Sequence, residues 1–406
     1  MAAPFASEPA AREGVRAEIG NIRAIEGLRG VAVLWVLFFH YLVLREGKFA
    51  DPFIEAILAL HPLHVVIRNG YLGVDLFFLI TGFLLTLPWF KHALEARPAP
   101  STREFYVRRI RRIVPAYYVQ LAFLGLVCLP VLLGWRFIKA EPGFIIANFA
   151  AHATFLHYTS PLTSASFSLN GALWTLAVEF QYYLLLPLLA PFFARAPRAA
   201  FAAFVAMALA WRFGAAHGFG SLVDFYTVLS ARWNVPESAL RALIATQLPG
   251  YLAHFAVGIL CGRAWLARRG RIPGTAAATW IGLAAVLSCI ALYAFLVGGH
   301  VLPESLGWLV VPFVMGSAMF CAVSCRPAWA ERILGAQPIA WVGKVSYSAY
   351  LYHVPLVLLF NKLLPQAGGW LAFPLWFAIV MGVSWTSYRF VERPFLRARA
   401  APPARR

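Results

Sequence analysis

The sequence predicts an all-α membrane protein of about ten transmembrane helices with both termini in the cytoplasm. Three observations carry that expectation. Of 406 residues, 61% are hydrophobic and only 13% charged, with a mean hydropathy of +0.70, where soluble domains carry about 25% charge. Apolar segments recur at about 27–45, 71–90, 113–134, 173–194, 198–214, 246–266, 275–297, 306–324, 340–364 and 370–391, each near the ~20 residues a membrane helix needs. With the N-terminus inside, 23 of the 35 Lys and Arg residues fall in cytoplasmic segments and 9 in outer loops, the bias of the positive-inside rule.

Taken in order, residues 1–24 are polar and rich in Ala, Arg and Glu. They read as a disordered cytoplasmic arm with no cleaved signal peptide. Residues 25–395 read as the membrane domain and 396–406 as a cytoplasmic tail. Segment 198–214 is the shortest of the ten. Two outer connections, about 135–172 and 215–245, exceed simple turns. The first holds an apolar stretch, Phe144 to Leu156, too short to span and suited to a re-entrant or interfacial lid. The second, with Trp233, Asn234 and Pro236, is polar enough to meet a hydrophilic acceptor.

A net charge of +18 raises nucleic acid as a partner, but the basic residues lie in short connections between apolar segments and not on a soluble surface, so membrane topology and anionic lipid explain them and no nucleic acid is expected. Cys128, Cys261, Cys289, Cys321 and Cys325 fall in or beside apolar segments without the paired spacings of zinc sites or a disulfide framework. Neither a metal nor a permanently bound cofactor is expected.

Against this apolar background a few polar residues stand out. Ile25 to Tyr41, IEGLRGVAVLWVLFFHY, holds Arg29 and His40 eleven residues apart, on one helix stripe and about 16 Å apart along the axis. That puts His40 near mid-membrane, where an ionisable group is a functional hypothesis by default. It reads either as an interhelical hydrogen-bonding residue or as a general base or nucleophile. Asp75, in GYLGVDLFFLITGFLLT, lies just inside the outer end of the second helix. It is a site acid or a carboxylate favoured by the helix dipole.

The stretch FYVRRIRRIVP places Arg108, Arg109, Arg111 and Arg112 at three- and four-residue spacings on the cytoplasmic side. It reads as an anchor to anionic lipid or as a bidentate phosphate site for a phosphorylated donor. Glu179 lies two turns into LWTLAVEFQYYLLLP, with Tyr182 and Tyr183 following; a carboxylate at that depth needs a partner or a proton. His353, in VSYSAYLYHVPLV, comes to a depth close to that of His40, with Tyr350 on nearly the same face and Pro355 just beyond. Direct participation and plain packing beside a kink both fit. By depth along the helices, His40, His353, Asp75 and Glu179 are expected to meet in the outer half, with the arginines at the opposite mouth.

These pieces together, GLRG with the Arg29-to-His40 spacing, GVDLFF, RRIRRIVP, LWTLAVEF, YSAYLYHVP and the closing ERPF of Glu392 to Phe395, resemble the acyltransferase-3 family of bacterial integral-membrane O-acyltransferases. The resemblance covers roughly Ile25 to Phe395. It implies transfer of an acyl group, usually acetyl, from cytoplasmic acyl-CoA as donor substrate to a hydroxyl of a carbohydrate or lipid-linked glycan at the outer face of the bacterial inner membrane. By motif it implies that Arg29 and His40 are the essential pair and that Arg109 and Arg112 belong to the family's arginine region. Asp75 and Glu179 match motif acids. Two positions depart from the usual pattern: Thr81 stands where serine is common, and Glu26 where aspartate is common. The chain ends soon after the tenth segment, without the periplasmic hydrolase-like domain of some relatives, which implies acceptor selection by helices and outer loops. On this reading the catalytic candidates are His40, Glu179, Asp75 and His353, with Glu179 or Asp75 orienting the His40 imidazole. The binding candidates are Arg29, Arg108, Arg109, Arg111, Arg112 and Tyr350. The rival functions are a transporter of lipid-linked sugar or acyl groups and a structural partner in an envelope-polysaccharide complex.

Overall fold

The computed structural model describes residues 8–49, 51–268, 304–324, 328–365 and 369–397. Among them the protein is helical throughout, without strands. The helices that frame the site are α1 (Glu8–Arg45), α2 (Gly73–Glu95), α3 (Thr102–Phe123, continued by a π-helix over Leu124–Leu133), α4 (Pro142–Ala153), α5 (Trp174–Arg195), α6 (Pro197–His217), α7 (Glu237–Ala245), α8 (Leu248–Arg268), α9 (Glu304–Ser324), α10 (Gln337–Leu363) and α11 (Ala372–Ser387).

Six helical stretches among the described residues are long and apolar enough to cross a membrane: Ala24–Arg45, Gly70–Glu95, Thr102–Ala140, Gly171–Arg195, Pro197–His217 and Glu237–Arg268. Trp308–Ser324 with Ala328–Leu334, bent by 94°, makes a seventh if the pair is one span. Ten were expected. Segment 275–297 lies outside the described residues, as do Cys289 and Cys325. Segments 340–364 and 370–391 form α10, α11 and a short π-helix, Tyr388–Glu392. α10 runs through the middle of the bundle, and Ser346, Ser348 and His353 on it are fully buried. The boundary expected at 24/25 falls inside α1.

Local chemistry explains the frame. Ser101 caps α3, its hydroxyl accepting from the Glu104 amide at 3.3 Å, in the Ser-x-x-Glu pattern that starts helices. Small residues let the central helices touch. A Cβ added at Gly30 would lie 2.3 Å from the Ile339 carbonyl, and one at Gly343 would lie 1.8 Å from the Glu26 carbonyl, so α1 and α10 cross backbone to backbone at the GLRG motif. Gly82 on α2 and Gly258 on α8 do the same, at 2.4 Å from Phe255 O and 2.1 Å from Leu79 O. The first pairing holds the polar stripe of α1 against α10, and the second holds α2 against α8.

The C-terminal end of α1 is tied by a buried polar knot. Arg45 donates to Asp51 at 3.0 Å and to Asn361 at 2.6 Å, and the Tyr41 hydroxyl donates to Asp51 at 2.6 Å. The two long connections, about 135–172 and 215–245, pack on each other. Glu141 pairs with Arg232, which holds its carboxyl below the usual range. Phe144 stacks on Trp233 at 5.0 Å, and the Tyr226 hydroxyl donates to Thr159 O at 2.6 Å. The apolar stretch expected as a lid forms α4, which joins the other connection in one cap.

Candidate active site: two cavities end to end

His40 projects from α1 into a cavity of about 420 Å³ under the cap, walled by α2, α5, α7, α8, α9 and α10. Its Nδ1 lies 3.0 Å from the Val36 carbonyl and 3.2 Å from His353 Nε2, and His353 Nδ1 lies 2.7 Å from the Tyr350 carbonyl. A carbonyl only accepts, so His353 carries its proton on Nδ1 and leaves Nε2 as an acceptor. The Nδ1–H of His40 is then directed at Val36 O and His353 Nε2. Its own Nε2 is left with a free lone pair. Hydrogen-bond polarity thus selects one tautomer, with the basic nitrogen of His40 available. His353 is fully buried behind it.

A second, narrower cavity of about 100 Å³ lies further along the same helices toward Arg29. Arg29, Arg109, Arg112, Glu179, Tyr183 and Ser346 supply its polar walls. Arg29 donates to Ser346 Oγ at 3.0 Å. Glu179 accepts from Thr81 Oγ1 at 2.8 Å and from the Tyr183 hydroxyl. Three guanidinium groups against one carboxylate leave a local excess of positive charge, as an anionic ligand requires.

The two cavities share only Val74 and Tyr350 among their lining residues. Tyr350 is locked there: its hydroxyl donates to the Ala172 carbonyl at 2.8 Å and lies 2.8 Å from Thr175 Oγ1. A thin partition therefore separates the arginine-lined space from the histidine-lined one.

The structure regroups the residues singled out in the sequence. His40 and His353 come together, with Tyr350 packed against His353 at 5.4 Å between ring centroids. Glu179 does not join them; it stands with the arginines, whose long stems carry the charge inward. Asp75 lines the outer cavity, but its Oδ1 lies 2.6 Å from His254 Nε2 on α8, both side chains buried. The groups that orient His40 are therefore Val36 O and His353, not Asp75 or Glu179. The arginine cluster also divides. Arg109 and Arg112 face the arginine-lined cavity, while Arg108 pairs with Glu104 at 3.0 Å on the exposed surface of the helix, and Arg111 is absent from the cavity lining. The 100° step of a helix cannot put all four on one narrow face.

Several participants were missed. His254, in LAHFAVGI, is an ionisable residue inside an apolar segment and met the criterion applied to His40. Ser346 carries no such signal, being an ordinary helix residue until its partner is known, whereas Tyr183 follows Glu179 at the four-residue spacing that brings the two together. Glu392 of ERPF is buried, with the Ser348 hydroxyl against its carboxylate and 2.9 Å from Ser387 Oγ. It fastens the C-terminal motif to α10 two residues from the partner of Arg29.

Above the outer cavity, the cap is built on a buried histidine pair. His152 and His157 stack at 4.0 Å. His152 Nε2 lies 2.7 Å from Ser166 Oγ and its Nδ1 lies 2.7 Å from Asn148 O, while His157 Nε2 lies 3.1 Å from Leu173 O. Burial pushes His152 down to about 4. Burial and the neighbouring ring push His157 down to about 3.

Comparison with known proteins identifies the family. The profile of a family described as "Acyltransferase domain" matches residues 22–389. The chain is 25% identical to a peptidoglycan O-acetyltransferase of Listeria monocytogenes, over 92% of this chain and 55% of the relative. It is 24% identical to a protein of Bacillus subtilis provisionally named a peptidoglycan O-acetyltransferase, over 92% and 54%. It is 26% identical to a protein of Komagataeibacter xylinus provisionally named a membrane-bound transacylase, over 91% and 82%. The chain thus spans about half the length of the first two relatives. No solved structure matches it.

Proposed function

Given that the chain belongs to the acyltransferase-3 family, we propose that it is a multi-pass O-acyltransferase of the bacterial inner membrane, with both termini cytoplasmic. On this reading it moves an acyl group, most simply acetyl, from cytoplasmic acyl-CoA to a hydroxyl of a carbohydrate or lipid-linked glycan reaching it from outside. The observation that carries the reading is the placement of a tautomer-selected imidazole, His40, on the wall of one cavity, with the guanidinium groups of Arg29, Arg109 and Arg112 lining a second cavity on the same axis.

The arginine-lined cavity receives the anionic end of the donor, and the pantetheine arm runs past Arg29 toward the partition at Tyr350. His40 Nε2 takes the proton of the acceptor hydroxyl as its oxygen attacks the thioester carbonyl. The carbon–sulfur bond breaks, and the imidazolium returns the proton to the departing thiolate, so the products are the O-acyl ester and free CoA thiol. General-base assistance of this kind contributes about 10²–10⁴-fold. Glu179 sets the charge and geometry of the donor side. Asp75 acts on the outer cavity through its pairing with His254, and not on His40.

The test is transfer of labelled acetyl from acetyl-CoA by the purified protein, with release of free thiol followed in parallel. His40→Ala is expected to lower acceptor-dependent turnover at least 100-fold. Undiminished turnover would sink the assignment, and glycan movement without thiol release would identify a transporter. Thiol release in a stoichiometric burst without acceptor would place the acyl group on the histidine itself.

A further inference from the structure

Resting on the reading of this protein as an acyltransferase, we infer that the outer cavity is an acceptor subsite for one neutral sugar ring, selected by aromatic stacking against acidic sugars. Its wall is aromatic on several sides. Tyr71, Tyr158, Trp174, Tyr251 and Trp308 line it beside His40, with Trp174 5.5 Å from Tyr251 and 5.3 Å from Tyr158, and Tyr71 6.3 Å from Trp308, between ring centroids. A pyranose presents a face of C–H groups and an edge of hydroxyls. Aromatic faces bury the former and leave the latter for hydrogen bonds.

The rings are held from behind. The Arg212 guanidinium lies 4.8 Å from the Trp308 centroid and 5.2 Å from that of Tyr251, and its Nε donates to Gly250 O at 2.9 Å. Polar groups for the sugar edge are few: Ser164, the Tyr158–Thr246 hydroxyl pair at 2.6 Å, and His40. At about 420 Å³ the space is near the small end of ligand cavities, which run about 300–1,000 Å³. Tyr158 and Ser164 of the cap line it, and its volume suits a single ring.

Charge decides the class of sugar. Among the described residues that line the cavity there is no lysine or arginine, and the one carboxylate, Asp75, is already paired with His254. A uronic acid entering here would bury a carboxylate beside Asp75, and the nearby guanidinium of Arg212 stands behind the rings of Trp308 and Tyr251 and not on the cavity wall. Burying an unpaired charge is strongly unfavourable.

The experiment uses the full chain in lipid nanodiscs with methyl β-glucopyranoside and methyl β-glucuronide as probes. Binding is read by saturation-transfer NMR and turnover by thiol release from acetyl-CoA. Saturation of the glucoside C–H protons is expected, with affinity for the glucuronide at least 10-fold weaker. Trp308→Ala is expected to weaken glucoside binding about 10-fold and Trp308→Phe to restore most of it, with the KM for acetyl-CoA unchanged in both. Equal binding of the two glycosides, binding of neither, or full glucoside binding by Trp308→Ala overturns the proposal. Glucoside binding without any thiol release leaves this site standing and removes the acyltransferase reading, whereas equal turnover of the glucuronide does the reverse.

Discussion

At the scale of single residues, the site works by assigning protons and charges to named atoms. His353 never reaches the cavity wall, yet its Nε2, left an acceptor by the bond of its Nδ1–H to Tyr350 O, shares the Nδ1–H of His40 with Val36 O and so helps to hold that ring in place. His353→Phe keeps the bulk and removes that second acceptor, leaving Val36 O alone to hold the His40 ring. We expect kcat to fall about 10- to 100-fold while the KM for acetyl-CoA stays within threefold, measured by thiol release. On the other side of the partition, Arg112→Gln removes a cation from the arginine-lined cavity. A charge-assisted hydrogen bond is worth about 1.5–3 kcal/mol, so the KM for acetyl-CoA should rise about 10- to 100-fold; an unchanged KM would detach the arginines from the donor. The polar identities of His40, His353, Glu179 and the arginines were legible in the sequence because ionisable groups are rare in apolar helices. Their partnerships were not. The depth of Glu179 along its helix was estimated from Cα rise alone, and the reach of three arginine side chains changed its company.

At the scale of elements, helices are placed by glycine contacts and by the cap. Gly343 lets α10 lie against the Glu26 carbonyl of α1, and both His40 and His353 depend on that crossing. Gly343→Ala forces the helices apart. Overpacking of this kind costs about 1–3 kcal/mol, and a lowered thermal unfolding midpoint in detergent, with turnover lost in proportion, is the expected result. The cap carries its own pH response. His152 and His157 are held neutral by burial, at about 4 and about 3, against about 6.5 when exposed. The open cap therefore binds more protons than the closed one at any pH between those values. Closure is at full strength above about pH 6.5 and weakens as pH falls, by about 1.4 kcal/mol per pH unit for each histidine. Hydrogen exchange of residues 148–170 should accelerate steeply from pH 6.5 to 5, and His152→Gln should flatten the slope. Periodicity alone gave no sign of this pair, because the two rings stack across a break between α4 and a short 3-10 turn.

At the scale of the whole molecule, the helical class was legible from composition, and the basic bias from loop charge. The division into two cavities was not, since it depends on which faces of α1, α2, α5 and α10 turn toward one another. Six or seven of the ten expected crossings are met by length and hydropathy among the described residues, and α10 is the polar spine of the bundle, carrying Ser346, Ser348, Tyr350 and His353. In sealed inside-out vesicles, where the cytoplasmic face is outward, external acetyl-CoA should support transfer. Right-side-out vesicles given the same donor should show less than a tenth of that rate until they are permeabilised.

The partition at Val74 and Tyr350 has an electrical consequence in the proposed orientation. Where water-filled space enters a protein from both faces, the membrane potential drops mainly across the layer between, and moving one charge through that layer involves about 2.3 kcal/mol per 100 mV. An acyl group is uncharged, and the phosphates of its carrier stay with the arginines. The group thus passes from one compartment to the other without electrical work, and collapsing the potential with an ionophore should leave the rate of acyl transfer unchanged.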